Sequence, residues 1–156
     1  LGLHTMIASN EKSPEFFKDI SRLLKELAQR ATNEFGLEIS FINIGGGLGV
    51  NYHPDEDPID PIAVGEAVRS ELGNLPIPIF SEHGRFVTGS NGYLLTRVTH
   101  GIIETYEPYV QVDTSINNMA RLATVTAAYH EINILGKDDD ERKPMNVTGS
   151  LCANSD

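Results

Sequence analysis

The chain has a single cysteine, Cys152, so an internal disulfide is excluded and a reducing compartment, the cytoplasm, is expected. No apolar run approaches the length a membrane-spanning helix needs, so no membrane partner is expected. No signal-peptide pattern opens the chain, and no weight rests on Leu1 as a native start. Cations are few: 12 Lys and Arg stand against 22 Asp and Glu, a formal net charge of −10. Phosphate contacts along a nucleic acid need clustered Lys and Arg, so a nucleic-acid surface is excluded. Repeats, low-complexity stretches and metal sites are not read in the sequence either. What is present is globular: 156 residues, 40% hydrophobic and 22% charged, enough for a domain with its own core.

The most informative stretch is Gly45-Gly46-Gly47-Leu48-Gly49-Val50-Asn51-Tyr52. It follows an apolar β-type run from Ile39 to Ile44. Glycine enters positive φ freely, and with no Cβ it lets a ligand approach the backbone. A glycine turn at a strand's C-terminal end offers unpaired N–H groups to an anion, most often a phosphate. The plainer alternative is a flexible turn.

Periodicity divides the chain. In the first part, residues 1–88, strands alternate with helices. Leu1 to Ser9 reads as a strand. Ser13-Pro14 then supplies an N-cap and a first-turn proline, and the stripe Phe17, Ile20, Leu24, Leu27, Ala31 has helical spacing. Gly36 stops that helix. Glu38 to Ile44 is a second strand. Asp60-Pro61 opens a second helix, with Ile62, Ala67, Val68 and Leu72 as its expected buried face. Ile77 to Glu82 is a third strand. This order implies parallel pairing with helical crossovers. In the second part, residues 89–156, Tyr93–Glu104, Tyr109–Asp113, Val125–Leu135 and Met145–Leu151 are rich in Val, Ile, Thr and Tyr, which favours an antiparallel sheet. The charge run Asp138 to Lys143 reads as a solvated hairpin tip.

Polar groups cluster at the three strand ends of the first part: His4 and Ser9, then Gly45-Gly46-Gly47, then Glu82-His83-Gly84-Arg85. In a β/α barrel the strand C-termini build the active site. Three βα units cannot close a barrel of eight, so the expected fold class is α/β: the last part of a (β/α)8 TIM-type barrel, followed by a mostly antiparallel β domain.

These motifs, in this order, resemble the second half of pyridoxal-phosphate-dependent decarboxylases of the alanine-racemase-like barrel type, nearest to the diaminopimelate decarboxylases. The matching stretches are Gly2-Leu3-His4-Thr5-Met6-Ile7-Ala8-Ser9, Gly45 to Tyr52, Glu82-His83-Gly84-Arg85 and Cys152-Ala153-Asn154-Ser155-Asp156, with Tyr129-His130-Glu131-Ile132 resembling a sheet-domain segment. The resemblance implies pyridoxal 5'-phosphate as cofactor and a small amino acid as substrate. Ser9, Gly45, Gly46, Gly47, Gly84 and Arg85 would hold the cofactor, and Glu82 would face its pyridine nitrogen. Arg85 and Arg121 would meet anionic substrate groups. Cys152 and Asp156 would reach into the partner's site in a homodimer with shared active sites. Each residue keeps a plainer reading: Ser9 a loop cap, Glu82 a surface acid, Arg85 a salt-bridge partner, Arg121 a sheet-surface arginine, Cys152 a small buried hydrophobe.

Four positions depart from the family pattern. Met6 replaces a histidine that stacks on the cofactor ring, and His83 replaces a proline. Ala153 stands where the diaminopimelate enzymes place a glutamate, and near Val125 they have a tyrosine. Two substrate classes therefore stay open: meso-diaminopimelate, or another amino acid such as D-ornithine or D-lysine. The lysine that carries the cofactor in the family matches none of Lys12, Lys18, Lys25, Lys137 or Lys143. The expectation is a fragment that does not catalyse alone. A non-catalytic relative that binds a partner decarboxylase is the reading from another class.

Overall fold

Two compact units divide the chain at Gly92 and Tyr93. The computed structural model describes residues 1–125, 128–137, 143–153 and 156.

The first unit runs β1 (Gly2–His4), α1 (Pro14–Phe35), β2 (Phe41–Asn43), α2 (Pro61–Leu72), β3 (Ile79–Phe80) and α3 (Gly84–Thr88). The strands form one parallel sheet in the order β1-β2-β3, with Leu3 opposite Ile42 and Asn43 opposite Phe80. They are shorter than the sequence reading, but the ladder continues past their ends: Thr5 N–H donates to Asn43 O at 3.2 Å and Ile44 N–H to Phe80 O at 3.0 Å.

Local chemistry sets both helix starts. Ser13 Oγ accepts from Phe16 N–H ahead of Pro14, and Asp60 Oδ1 accepts from Ile62 and Ala63 N–H around Pro61. Gly36 ends α1 at φ 63°, its N–H on Thr32 O and the next N–H on Ala31 O, a left-handed cap.

Both helices cover one face of the sheet. Ile20, Leu24 and Ala28 of α1 pack with Ile42, Ile44 and Leu72, while Phe17, Leu48 and Val64 form a second cluster beside them. Two expectations are corrected. In α1 the buried stripe passes through Ser21 and Ala28, and Leu27 stays 40% exposed. In α2, Val64, Val68 and Leu72 carry the packing, and Ile62 is 71% exposed. Residues two apart on a helix point in nearly opposite directions, so Val64 inward puts Ile62 outward.

In the second unit β4 (Val98–Ile103) pairs antiparallel with β5 (Tyr109–Val112), with register shifts around His100. β6 (Asn146–Thr148) pairs with β5 in parallel, whereas the sequence reading expected an antiparallel pair there. A parallel return needs a long crossover, and residues 113–145 supply it. Within that crossover lies the short helix α4 (Arg121–Thr124). The strand expected over Val125–Leu135 does not form among the described residues: Arg121 Nη1 instead holds Tyr129 O at 3.3 Å and lies 3.2 Å from His130 Nε2. β-branched composition favours extension but names no ladder partner. The charge run expected as a hairpin tip falls, over Asp138–Arg142, outside the described residues.

Candidate active site

The parallel register brings the three strand ends of the first unit to one edge of the sheet. β1 delivers His4 and the turn through Glu11. β2 delivers Asn43 and the glycine turn. β3 delivers the segment from Ser81 to Arg85.

Glu82 is the centre of this edge. Its Oε1 accepts from Asn43 Nδ2 at 2.7 Å, and its Oε2 lies 3.7 Å from His4 Nε2. Both Glu82 and His4 side chains are about half exposed, so this ion-pair geometry contributes little to stability. Asn43 Oδ1 accepts from Gly45 N–H at 2.9 Å, and Glu82 N–H donates to Gly45 O at 2.8 Å. One asparagine therefore joins the carboxylate to the glycine turn. The sequence reading missed it, although a polar residue alternating with the buried Ile42 and Ile44 was its signal.

The glycine turn is sewn to its neighbours, which corrects the expectation of free N–H groups along it. Gly46 N–H points to Met6 Sδ at 3.2 Å, Leu48 N–H to His83 Nδ1 at 3.4 Å and Gly49 N–H to Glu11 O at 2.8 Å. Gly47 O accepts from Glu11 N–H at 2.8 Å. Gly47 N–H has no intramolecular hydrogen bond among the described residues. The glycines are required by close approach: a Cβ on Gly45 would sit 2.0 Å from Thr5 O, and one on Gly46 2.4 Å from Glu82 O. Gly45 and Gly47 also hold φ of 74° and 92°, open chiefly to glycine. Asn10, at φ 58°, closes the far side, its Oδ1 accepting from Val50 N–H at 2.9 Å and its Nδ2 donating to Val50 O at 3.3 Å. Asn10 and Glu11 were also missed, because their partners lie far away in sequence.

Ser9 is exposed between Ala8 and Asn10, whose backbones line the turn at Gly47 and Gly49. Arg85 is exposed in α3 and makes no ion pair among the described residues. His83 is half-buried, its ring edge-on to Phe17 at 5.7 Å, and burial pushes its pKa down. Met6 is 58% exposed. In the second unit Cys152 and Ala153 are exposed. The Asp156 carboxylate, expected by resemblance to reach a partner's site, is used within its own unit, accepting from the backbone N–H groups of Ile116 and Leu151. Burial, and secondarily the Arg121 cation, holds the His130 pKa below its ordinary value.

A parallel β/α sheet whose strand ends gather a carboxylate, an asparagine, a histidine and a glycine turn has the build of a β/α-barrel active-site edge. Residues 1–89 match the family described as pyridoxal-dependent decarboxylase, pyridoxal binding domain, and the chain belongs to that family. It is 34% identical over its whole length to a diaminopimelate decarboxylase of Methanothermobacter thermautotrophicus, covering 38% of that protein. It is 32% identical over 99% of its length to the protein TabA of Pseudomonas amygdali pv. tabaci, covering 37% of it. The diaminopimelate decarboxylase of M. jannaschii, solved in complex with L-lysine, superposes on the whole chain with a TM-score of 0.87 at 28% identity, over 36% of its own length. The chain thus spans little more than a third of these relatives. The α/β fold class stands: a β/α-barrel portion followed by a β-sheet unit.

Proposed function

We propose that this chain is part of a pyridoxal-phosphate-dependent amino-acid decarboxylase, a carbon–carbon lyase of the diaminopimelate decarboxylase kind. The observation that carries this reading is the convergence of His4, of Asn43 with the glycine turn, and of Glu82 at three adjacent parallel strand ends. The residues fit a phosphorylated pyridine. Among the described residues, Gly47 offers an amide without an internal partner, and Gly46 one held only by a thioether, a weak acceptor. Exposed Arg85 adds a planar cation suited to bidentate anion binding.

Pyridoxal phosphate, when bound, supplies an electron sink for the carbanion left as carbon dioxide departs. Ser9, Gly45 to Gly47, Gly84 and Arg85 would hold the cofactor. Glu82, fixed by Asn43, would hold a proton at the pyridine nitrogen. Met6 would pack against the ring through its polarizable sulfur. Arg85 and Arg121 would meet substrate carboxylates. Cys152 would act as a catalytic group supplied across a homodimer interface with shared sites, in the cytoplasm. Purification or reconstitution of the full-length protein should give the absorbance of a lysine-bound cofactor. A colourless protein that releases no cofactor on denaturation would refute the assignment.

The names of the relatives support meso-diaminopimelate as substrate. Ala153 favours a second reading, a basic amino acid with one distal amine such as D-ornithine or D-lysine, because it offers no carboxylate to a distal ammonium.

A further inference from the structure

We propose that His83 is a positioning residue: its neutral imidazole latches the far end of the glycine turn to the segment carrying Glu82 and Arg85. The near end of the turn is already tied to that segment by Glu82 N–H on Gly45 O at 2.8 Å. The far end reaches it through Leu48, whose N–H donates to His83 Nδ1 over a long 3.4 Å. An acceptor at Nδ1 requires the ring proton to sit on Nε2. Leu48 itself is 3% exposed, locked with Phe17 and Val64, so the latch joins a buried anchor to an active-site segment.

The packing around the ring is apolar. Phe17 of α1 meets it edge-on at 89°. Leu48 of the turn, Pro61, Val64 and Val68 of α2 and Phe86 of α3 share a cleft of about 500 Å³ with it. The charged residues next in sequence to these packing residues are engaged elsewhere or face solvent: Lys18 pairs with Glu15, Asp60 accepts from the first turn of α2, Glu82 accepts from Asn43 beside His4, and Arg69 and Arg85 are exposed. Protonation would turn Nδ1 into a donor facing the Leu48 N–H donor, and would place a charge in apolar packing. Burial accordingly lowers the pKa of His83 below its ordinary 6.5. The unfolded chain takes up this proton first, so the contribution of His83 is fully present above about pH 6.5 and is lost as pH falls toward the lowered folded value. A proline at this position, as in the family pattern, has neither the acceptor nor the titration.

This inference rests on the cofactor reading only for its functional consequence, and the test separates the two. Full-length wild type, His83→Asn and His83→Phe are compared between pH 5 and 8, by melting temperature without cofactor and by the dissociation constant for pyridoxal phosphate. Asparagine keeps an acceptor near Nδ1 and cannot titrate. Phenylalanine keeps the ring against Phe17 and has no acceptor. The asparagine variant should lose part of the wild-type fall in melting temperature below pH 6.5. The phenylalanine variant should bind the cofactor about three- to tenfold more weakly at pH 8, the loss of one hydrogen bond. A phenylalanine variant that binds as tightly as wild type, or an asparagine variant with the wild-type pH profile, would overturn the latch. If no variant, wild type included, binds the cofactor, the proposed function fails while the melting profiles still decide the latch.

Discussion

Replacing Gly45 by alanine is the sharpest test of how the glycine turn is built. Two costs add. The backbone there holds φ 74°, and a non-glycine residue in the left-handed region costs about 1–2 kcal/mol. The new methyl would also sit 2.0 Å from Thr5 O. That oxygen belongs to the backbone that continues β1, with Thr5 N–H already bonded to Asn43 O, so it cannot swing away as a side-chain end would. Forcing a carbon into such packing costs about 1–3 kcal/mol. Gly45→Ala should therefore destabilise the protein by about 2–5 kcal/mol. Gly36→Ala is the control: its φ of 63° carries the same backbone cost, but nothing lies within 4 Å of the added carbon. Thermal unfolding of both variants in the full-length protein should give a distinctly larger loss at Gly45. Equal losses would show that conformation alone demands glycine there, and the close-approach argument would fall.

Glu82→Ala should retain the cofactor but lower turnover by a factor of about 100 to 1,000, as expected for a lost transition-state electrostatic contact; unchanged turnover would remove Glu82 from the mechanism. Asn43→Ala removes a charge-assisted bond to Glu82 and the acceptor for Gly45 N–H, and should cost about 1–3 kcal/mol in unfolding measurements. Residues 1–156 expressed alone should self-associate in light scattering, because the outer edges of β1 and β3 are unpaired among the described residues and Phe41 and Phe80 are 38% and 51% exposed; a monomer with a cooperative melt would contradict this. Turnover per KM of the full-length protein should rank D-lysine or D-ornithine at or above meso-diaminopimelate if Ala153 leaves a distal ammonium unpaired, and a clear preference for meso-diaminopimelate would show that other residues compensate.

What the sequence disclosed depended on how local each cause was. Ser13-Pro14, Gly36 and Asp60-Pro61 mark the helix ends correctly because a cap acts within one turn of chain. The phase of α2 was misread because Ile62 and Val64 are equally apolar, and only packing against α1 decides which turns inward. The glycine turn was legible as a place but not as a cause. Its amides looked free because their acceptors, Met6 Sδ, Glu11 O and His83 Nδ1, lie about 35 to 40 positions away. Asn43 stood out locally as a polar residue between Ile42 and Ile44, but its task did not: that is set by the register that puts it opposite Phe80, two residues before Glu82. Composition spoke for a strand over Val125–Leu135, but a strand needs a partner, and Arg121 takes that segment's carbonyl instead.

Departures from the family pattern at Met6 and His83 leave the bonds around Glu82 in place. Electrostatic groups act best when they are already in place and need no reorganisation at the moment of reaction. Here Glu82 is placed by Asn43, Asn43 is bonded to Gly45, and the turn is bonded to all three strand-end segments. Three of those bonds, Glu82 N–H to Gly45 O, Glu11 N–H to Gly47 O and Gly49 N–H to Glu11 O, join backbone to backbone, and a side-chain substitution leaves them intact. Met6 and His83 each stand where the family pattern has another residue, and each contributes one side-chain acceptor to the turn, for Gly46 and for Leu48. The two substitutions therefore act on the two ends of the same loop rather than on the carboxylate. Changes at Met6 and His83 should tune how firmly the phosphate end is held, whereas changes at Asn43 or Glu82 should reach the chemistry itself.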